Sequence, residues 1–138
     1  MAGAAALAEA CPDVPFVLQH AGMLEDLSPG GIEAWRAGMK LLAARPNIFS
    51  KLSGLGTFLR RNDSAHVAMV VAETLRLFGA DRCLFGSNFP IEKLWTDYAS
   101  LMAAFRAAVP AGDHPTVFTA TARRVYRLEP QEGGRHGA

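Results

Sequence analysis

Arg82-Cys83-Leu84-Phe85-Gly86-Ser87-Asn88-Phe89-Pro90 is a short apolar run that stops at a glycine and then presents Ser87, Asn88 and Phe89 ahead of a proline. An unbroken apolar run of this length suits a strand buried on both faces. Polar groups at the carboxyl end of a buried parallel strand sit where α/β enzymes carry their chemistry. The pattern occurs twice more upstream. Val14 to Gln19 closes on His20-Ala21-Gly22, and Asn47 to Leu52, which includes Lys51, closes on Ser53-Gly54.

Between these runs the spacing turns helical. Gly3 to Ala10 reads as a helix ended by Pro12-Asp13. After a loop broken by Ser28-Pro29-Gly30-Gly31, Ile32, Trp35, Met39 and Leu42 recur on one helical face until Pro46 stops them. Ser64 is placed to cap a helix carrying Val67, Val70, Val71, Leu75 and Phe78, with Gly79 at its end. Thr96 is placed to cap the next, with Tyr98, Leu101, Met102 and Phe105 inward. Asp113 is placed to cap the last, with Pro115 in its first turn and Phe118, Thr121 and Val125 inward. Residues 129–138 are polar and glycine-rich, the composition of a disordered tail.

The order is a helix, three strand–helix pairs and a closing helix. The polar strand ends fall roughly 30–40 residues apart, room for one βα unit each. Such units make parallel sheets, so all three ends face one rim. Three strands cannot close a barrel, which needs eight. The fold class is therefore α/β, a partial (β/α)8 TIM barrel: the last three βα units plus a C-terminal helix, over residues 1–128. A chain of this kind is expected to be a C-terminal fragment with two unpaired sheet edges, prone to self-association or to pairing with a missing barrel half. A small doubly wound binding domain is the competing architecture. It would need further strands, and no Gly-rich phosphate loop is present.

The 138 residues are half hydrophobic, and 14 basic against 13 acidic side chains leave a net charge of +1. Without a basic stripe, nucleic acid is not the expected partner. No apolar run approaches the ~20 residues of a membrane span. The Ala-rich start lacks a basic n-region, so a cytoplasmic location is expected. Cys11 and Cys83 form no C-x-x-C pair and read as two reduced thiols.

The strand ends carry the candidate chemistry. His20 can act as a metal ligand, a proton shuttle or a hydrogen-bond donor to a substrate carbonyl, or simply bond the neighbouring backbone. Lys51 and Ser53 flank Leu52 and share one strand face. Lys51 can hold a substrate carboxylate or lie ion-paired in the barrel wall. Ser53 can bond a substrate oxygen or close the strand end. Asn88 can orient water or a substrate group, or fix an Asx turn before Pro90. It cannot serve as a general base near neutral pH, because an amide oxygen is too weakly basic. Ser87 joins it as a candidate substrate contact. Arg60 and Arg61 can meet an anionic substrate or stay solvated. Glu92 can supply the carboxylate that Asn88 lacks or form an ordinary surface salt bridge. Trp35, Trp95 and Tyr126 read as packing residues. His66, His114 and His136 show no ligand-like clustering.

Pro12 through Gly22, then Lys51-Leu52-Ser53-Gly54, then Asp81 through Pro90, resemble the amidohydrolase-related family, and more narrowly its lactonase-like branch of TIM-barrel hydrolases. Thr121 to Leu128 resembles that family's last helix. The resemblance implies hydrolysis of a small ester, lactone or other carbonyl substrate. Some relatives instead decarboxylate. It implies that His20 is a catalytic or metal-ligating histidine, and that a divalent metal, zinc or manganese, serves the parent. Asn88 stands where the family usually carries an aspartate that activates the attacking water. The family's early His-x-His strand is not in this chain, so the chain alone is expected to be an inactive scaffold or part of an active parent.

Overall fold

β2 (Ile48–Leu52) alternates as a half-covered strand should. Ile48, Ser50 and Leu52 are buried, while Phe49 and Lys51 are half-buried. It lies at the centre of a three-stranded parallel sheet, between β1 (Phe16–Leu18) and β3 (Cys83–Phe85). Phe16 pairs with Ile48 and Leu18 with Ser50; Ser50 pairs in turn with Cys83 and Leu52 with Phe85. The computed structural model describes residues 1–128, and the expected tail at 129–138, with His136, lies outside the described residues.

The helices are α1 (Ala2–Ala10), α2 (Pro29–Ala43), α3 (Ser64–Phe78), α4 (Tyr98–Ala108) and α5 (Thr121–Tyr126). They bury one face of the sheet. Met39 and Leu42 from α2, Val70 and Val71 from α3 and Phe105 from α4 meet Ile48, Leu52 and Cys83 there. Removing one such leucine from water contributes about 1.5–3 kcal/mol. Phe85 packs edge-on to Phe105 and tilted against Phe118, with ring centroids 5.1 and 5.2 Å away. On the opposite face Val17, Phe49 and Lys51 remain half-buried and Leu84 is fully buried. The Arg124 guanidinium sits 5.9 Å from the Phe49 ring centroid.

Several boundaries differ from the sequence reading. β1 begins at Phe16 rather than Val14, because Pro15 has no N–H to give a ladder. The first cross-strand bond is Phe16 N–H to the Asn47 carbonyl at 2.8 Å. β1 is half-buried throughout rather than buried on both faces, and among the described residues β2 is its one strand neighbour. Beside it lies an apolar cavity of about 180 Å³ lined by Leu7, Phe16, Leu18, Leu42 and Ile48 among others. Asn47 stitches this corner together. Its Nδ2 donates to the carbonyls of Ala8, Cys11 and Val14, each at 3.0 Å.

Ser28 and Pro29 are not a breaker but the start of α2. The Ser28 hydroxyl accepts the Gly31 N–H at 3.1 Å, and Pro29 occupies the first helical position, where no donor is needed. Two caps move by one residue to a neighbouring aspartate. Asp63, not Ser64, accepts from the N–H groups of Ala65 and His66. Asp97, not Thr96, accepts from Ser100 N–H at 2.8 Å. A carboxylate at a helix N-terminus gains from the dipole as well as the hydrogen bond. Asp113 caps nothing; it ends a 3-10 turn, and a π-helical turn over Thr116–Ala120 precedes α5. Val117 in that turn and Thr121 at the start of α5 are fully buried, while Tyr126, read as a packing residue, is exposed, and so is Tyr98 on α4.

Candidate active site

The carboxyl ends of all three strands meet at Ser53. Its Oγ lies 2.9 Å from His20 Nδ1 at the end of β1. A Cβ added to Gly86, at the end of β3, would stand 3.3 Å from Ser53 Cβ. Ser53 is fully buried, so this hydroxyl belongs to a built junction. Holding His20 by Nδ1 leaves Nε2 as the ring nitrogen available to a ligand.

The turn that presents His20 is strained. His20, Ala21 and Met23 have positive φ, and Gly22 does as well. Non-glycine residues persist there only when surrounding structure over-determines them. Two contacts do so. Trp35 Nε1 donates to the buried Ala21 carbonyl at 2.8 Å, and the imidazole lies against Gly54. At Gly54, φ is +62 and a Cβ would fall 2.5 Å from His20 Nδ1, so backbone and space both require glycine.

Lys51 crosses to β3. A Cβ at Gly86 would overlap its Cε and stand 3.4 Å from Nζ, so the stem lies over the glycine. Among the described residues no carboxylate is within ion-pair distance of Lys51, unlike the ion-paired wall lysine. His20, Lys51, Ser53 and the Gly86 backbone are thus brought together, and Ser87 follows directly. The Ser87 hydroxyl, however, accepts the Phe89 N–H at 3.3 Å and serves the turn.

Asn88 makes no Asx turn. It has φ 55 and donates from Nδ2 to Glu92 Oε1 at 3.1 Å. Glu92 is no surface salt bridge: it is 1% exposed. Its Oε2 accepts from Trp95 Nε1 at 2.5 Å. Trp95 therefore bonds as well as packs. The signal in the sequence was the spacing, with Asn88 four residues before Glu92 and Trp95 three after it, one turn either way. Arg60 is exposed with φ 52, and no hydrogen bond or ion pair ties it to these side chains. Arg61 bonds Asp63 at 2.9 Å. The His66 amide and the Arg61 side chain hold the Asp63 carboxyl below the usual range.

The parallel strand ends that bring His20, Ser53 and Lys51 together form part of the rim of an α/β barrel, here a partial (β/α)8 barrel. The chain belongs to the amidohydrolase family, whose model matches residues 2–128. It is 37% identical over 125 residues to the uncharacterized protein y4mH of Sinorhizobium fredii, covering 88% of this chain and 42% of that protein. An L-fucono-1,5-lactonase of Burkholderia multivorans is 34% identical over 127 residues, covering 82% and 43%. The crystal structure of a Burkholderia multivorans amidohydrolase with bound zinc superposes with TM-score 0.79 at 29% identity, over 91% of this chain and 48% of that one. The chain thus spans less than half the length of these relatives.

A catalytic zinc takes three protein ligands. Among the described residues no group of three His, Cys, Asp or Glu side chains could hold a metal. His20 Nε2 is a single donor, its neighbour Lys51 is a cation, and Asn88 offers only a neutral amide oxygen. This set does not fit a zinc site by itself, and no step below runs through one. Among the described residues no helix is long and apolar enough to cross a membrane.

Proposed function

We propose that this chain forms the strand-end rim of a hydrolase acting on a small lactone or ester. The observation that carries this reading is the His20–Ser53 pair at three converging strand ends, beside a Lys51 with no carboxylate partner among the described residues. Similarity to an L-fucono-1,5-lactonase supports the substrate class. Water adds to the lactone carbonyl carbon, and the ring C–O bond breaks to give a hydroxy acid. The leaving alkoxide takes up one proton and the attacking water gives one up. His20 Nε2 holds or moves a proton at this rim, with its ring fixed by Ser53. Lys51 Nζ holds the carboxylate or another anionic group, and Ser87 and Arg60 contribute at the margin. Asn88 orients water or substrate and is not the base. The two free thiols fit a cytoplasmic setting.

Lactone hydrolysis by a full-length relative, followed by proton release, tests this at the positions matching His20 and Asn88. His20→Ala is expected to lower kcat/KM about 10²–10⁴-fold, the usual weight of a general acid–base group. Unchanged turnover in both His20→Ala and Asn88→Ala sinks the assignment. A second reading follows from the incomplete donor set: the chain is silent alone and acts only with a partner or a further barrel portion. Enzymatic turnover by the isolated chain excludes it.

A further inference from the structure

We propose that Glu92 is a positioning residue that fixes which end of the Asn88 carboxamide faces the rim. Glu92 is almost wholly buried, and among the described residues no cation lies within ion-pair distance of it. Both of its oxygens instead meet N–H donors. Oε2 takes Trp95 Nε1, which can only donate, and Oε1 takes Asn88 Nδ2. Oε1 accepts in this pair, and the Asn88 atom that faces it is the amide nitrogen. Asn88 Oδ1 is then turned away from Glu92. The backbone supports the arrangement: Glu92 N–H donates to the Asn88 carbonyl at 3.2 Å. Gly56 leaves room for it, since a Cβ there would stand 2.8 Å from Trp95 Nε1 and 3.0 Å from Glu92 Oε2.

The polarity of Asn88 is therefore set. One Nδ2 proton is committed to Glu92, which leaves Asn88 Oδ1 as an acceptor, for a water or a hydroxyl, and the second Nδ2 proton as its remaining donor. Only the identity of what that oxygen meets rests on the proposed hydrolase reading.

The arrangement makes an aspartate at this position harmful. Asn88→Asp sets two acceptors against each other, whereas Glu92→Gln leaves one carbonyl oxygen for two donors. Combined, the two changes fit: the new amide donates to the new carboxylate while its oxygen keeps the Trp95 bond. Thermal unfolding of the full chain tests this. Each single variant is expected to lower Tm by about 5 °C or more, and N88D/E92Q to return to within about 2 °C of the parent. If a single variant fails to fold, recovery of a folded double variant reads the same way. Side-chain amide hydrogen exchange supplies the second readout. One Asn88 carboxamide proton is protected in the parent and loses protection in E92Q. Losses that simply add in the double variant, or an Asn88 carboxamide unaffected by E92Q, overturn the proposal. Both readouts are independent of hydrolysis, so failure of the proposed function would leave this inference standing.

Discussion

After β1 the chain turns through His20, Ala21, Gly22 and Met23, all with positive φ, and partners distant in sequence hold it. Ser53 is 33 residues from His20, and Trp35 is 14 residues from Ala21. After β3 the chain turns through Ser87 and Asn88, and its side-chain bonds stay within four residues. The first turn depends on the assembled sheet and on α2. The second is wired by its own residues and carries its own buried acid. One rim thus joins a histidine whose placement is a property of the whole fold to an asparagine whose placement is a property of one loop.

Gly54→Ala should break this comparison most severely. The added methyl falls on the imidazole, at a left-handed backbone position. Backbone strain of roughly 1–2 kcal/mol and overpacking of roughly 1–3 combine to about 2–5 kcal/mol lost in a urea melt. His20 should leave Ser53, while the Trp95 indole resonance of the β3 turn stays in place. A shift of both would show that the turns are not independent.

Trp35→Phe removes the indole N–H together with part of the buried ring and leaves the buried Ala21 carbonyl unpaired. The expected cost is about 1–3 kcal/mol. Faster amide exchange at 20–23 than around Asn88 is the sign that the clamp acts on the first turn alone. Equal acceleration in both turns would contradict it.

The smallest effect comes from a histidine outside both turns. Burial lowers the His66 pKa, against the pull of the Asp63 carboxylate. The folded state thus favours neutral imidazole, and the unfolded state binds its proton first. Stability is fully present above the ordinary value of about 6.5 and declines as pH falls from there through the lowered folded value. His66→Gln should flatten that slope in Tm against pH and leave the β3 turn unaffected.

How much of this was legible depended on the range of each interaction. The three strand ends were readable, because Leu52-Ser53-Gly54 and Phe85-Gly86 mark a buried run meeting a breaker. The α2 and α3 faces were readable from 3.6-residue spacing, and Trp35, Met39, Val70 and Phe78 are buried as their spacing requires. The caps slipped by one residue at 63/64 and 96/97, since serine, threonine and aspartate all cap and only the backbone path selects among them. The His20 turn was not readable, because Ala21 and Met23 carry no signal for positive φ; Ser53 and Trp35 impose it from elsewhere. Glu92 misled for another reason. Between Ile91 and Lys93 it looks like surface, and its burial follows from two donors one turn away on either side.

Asn47 carries a further consequence. Its two amide protons are shared by carbonyls at the end of α1, at Cys11 and at Val14, while its own carbonyl takes the Phe16 N–H. Four successive points of the leading arm therefore hang from one residue at the foot of β2. The arm cannot peel away piecemeal without abandoning the same anchor. Residues 8–16 thus form one latch, and Asn47→Ala should let exchanging solvent reach that whole span together.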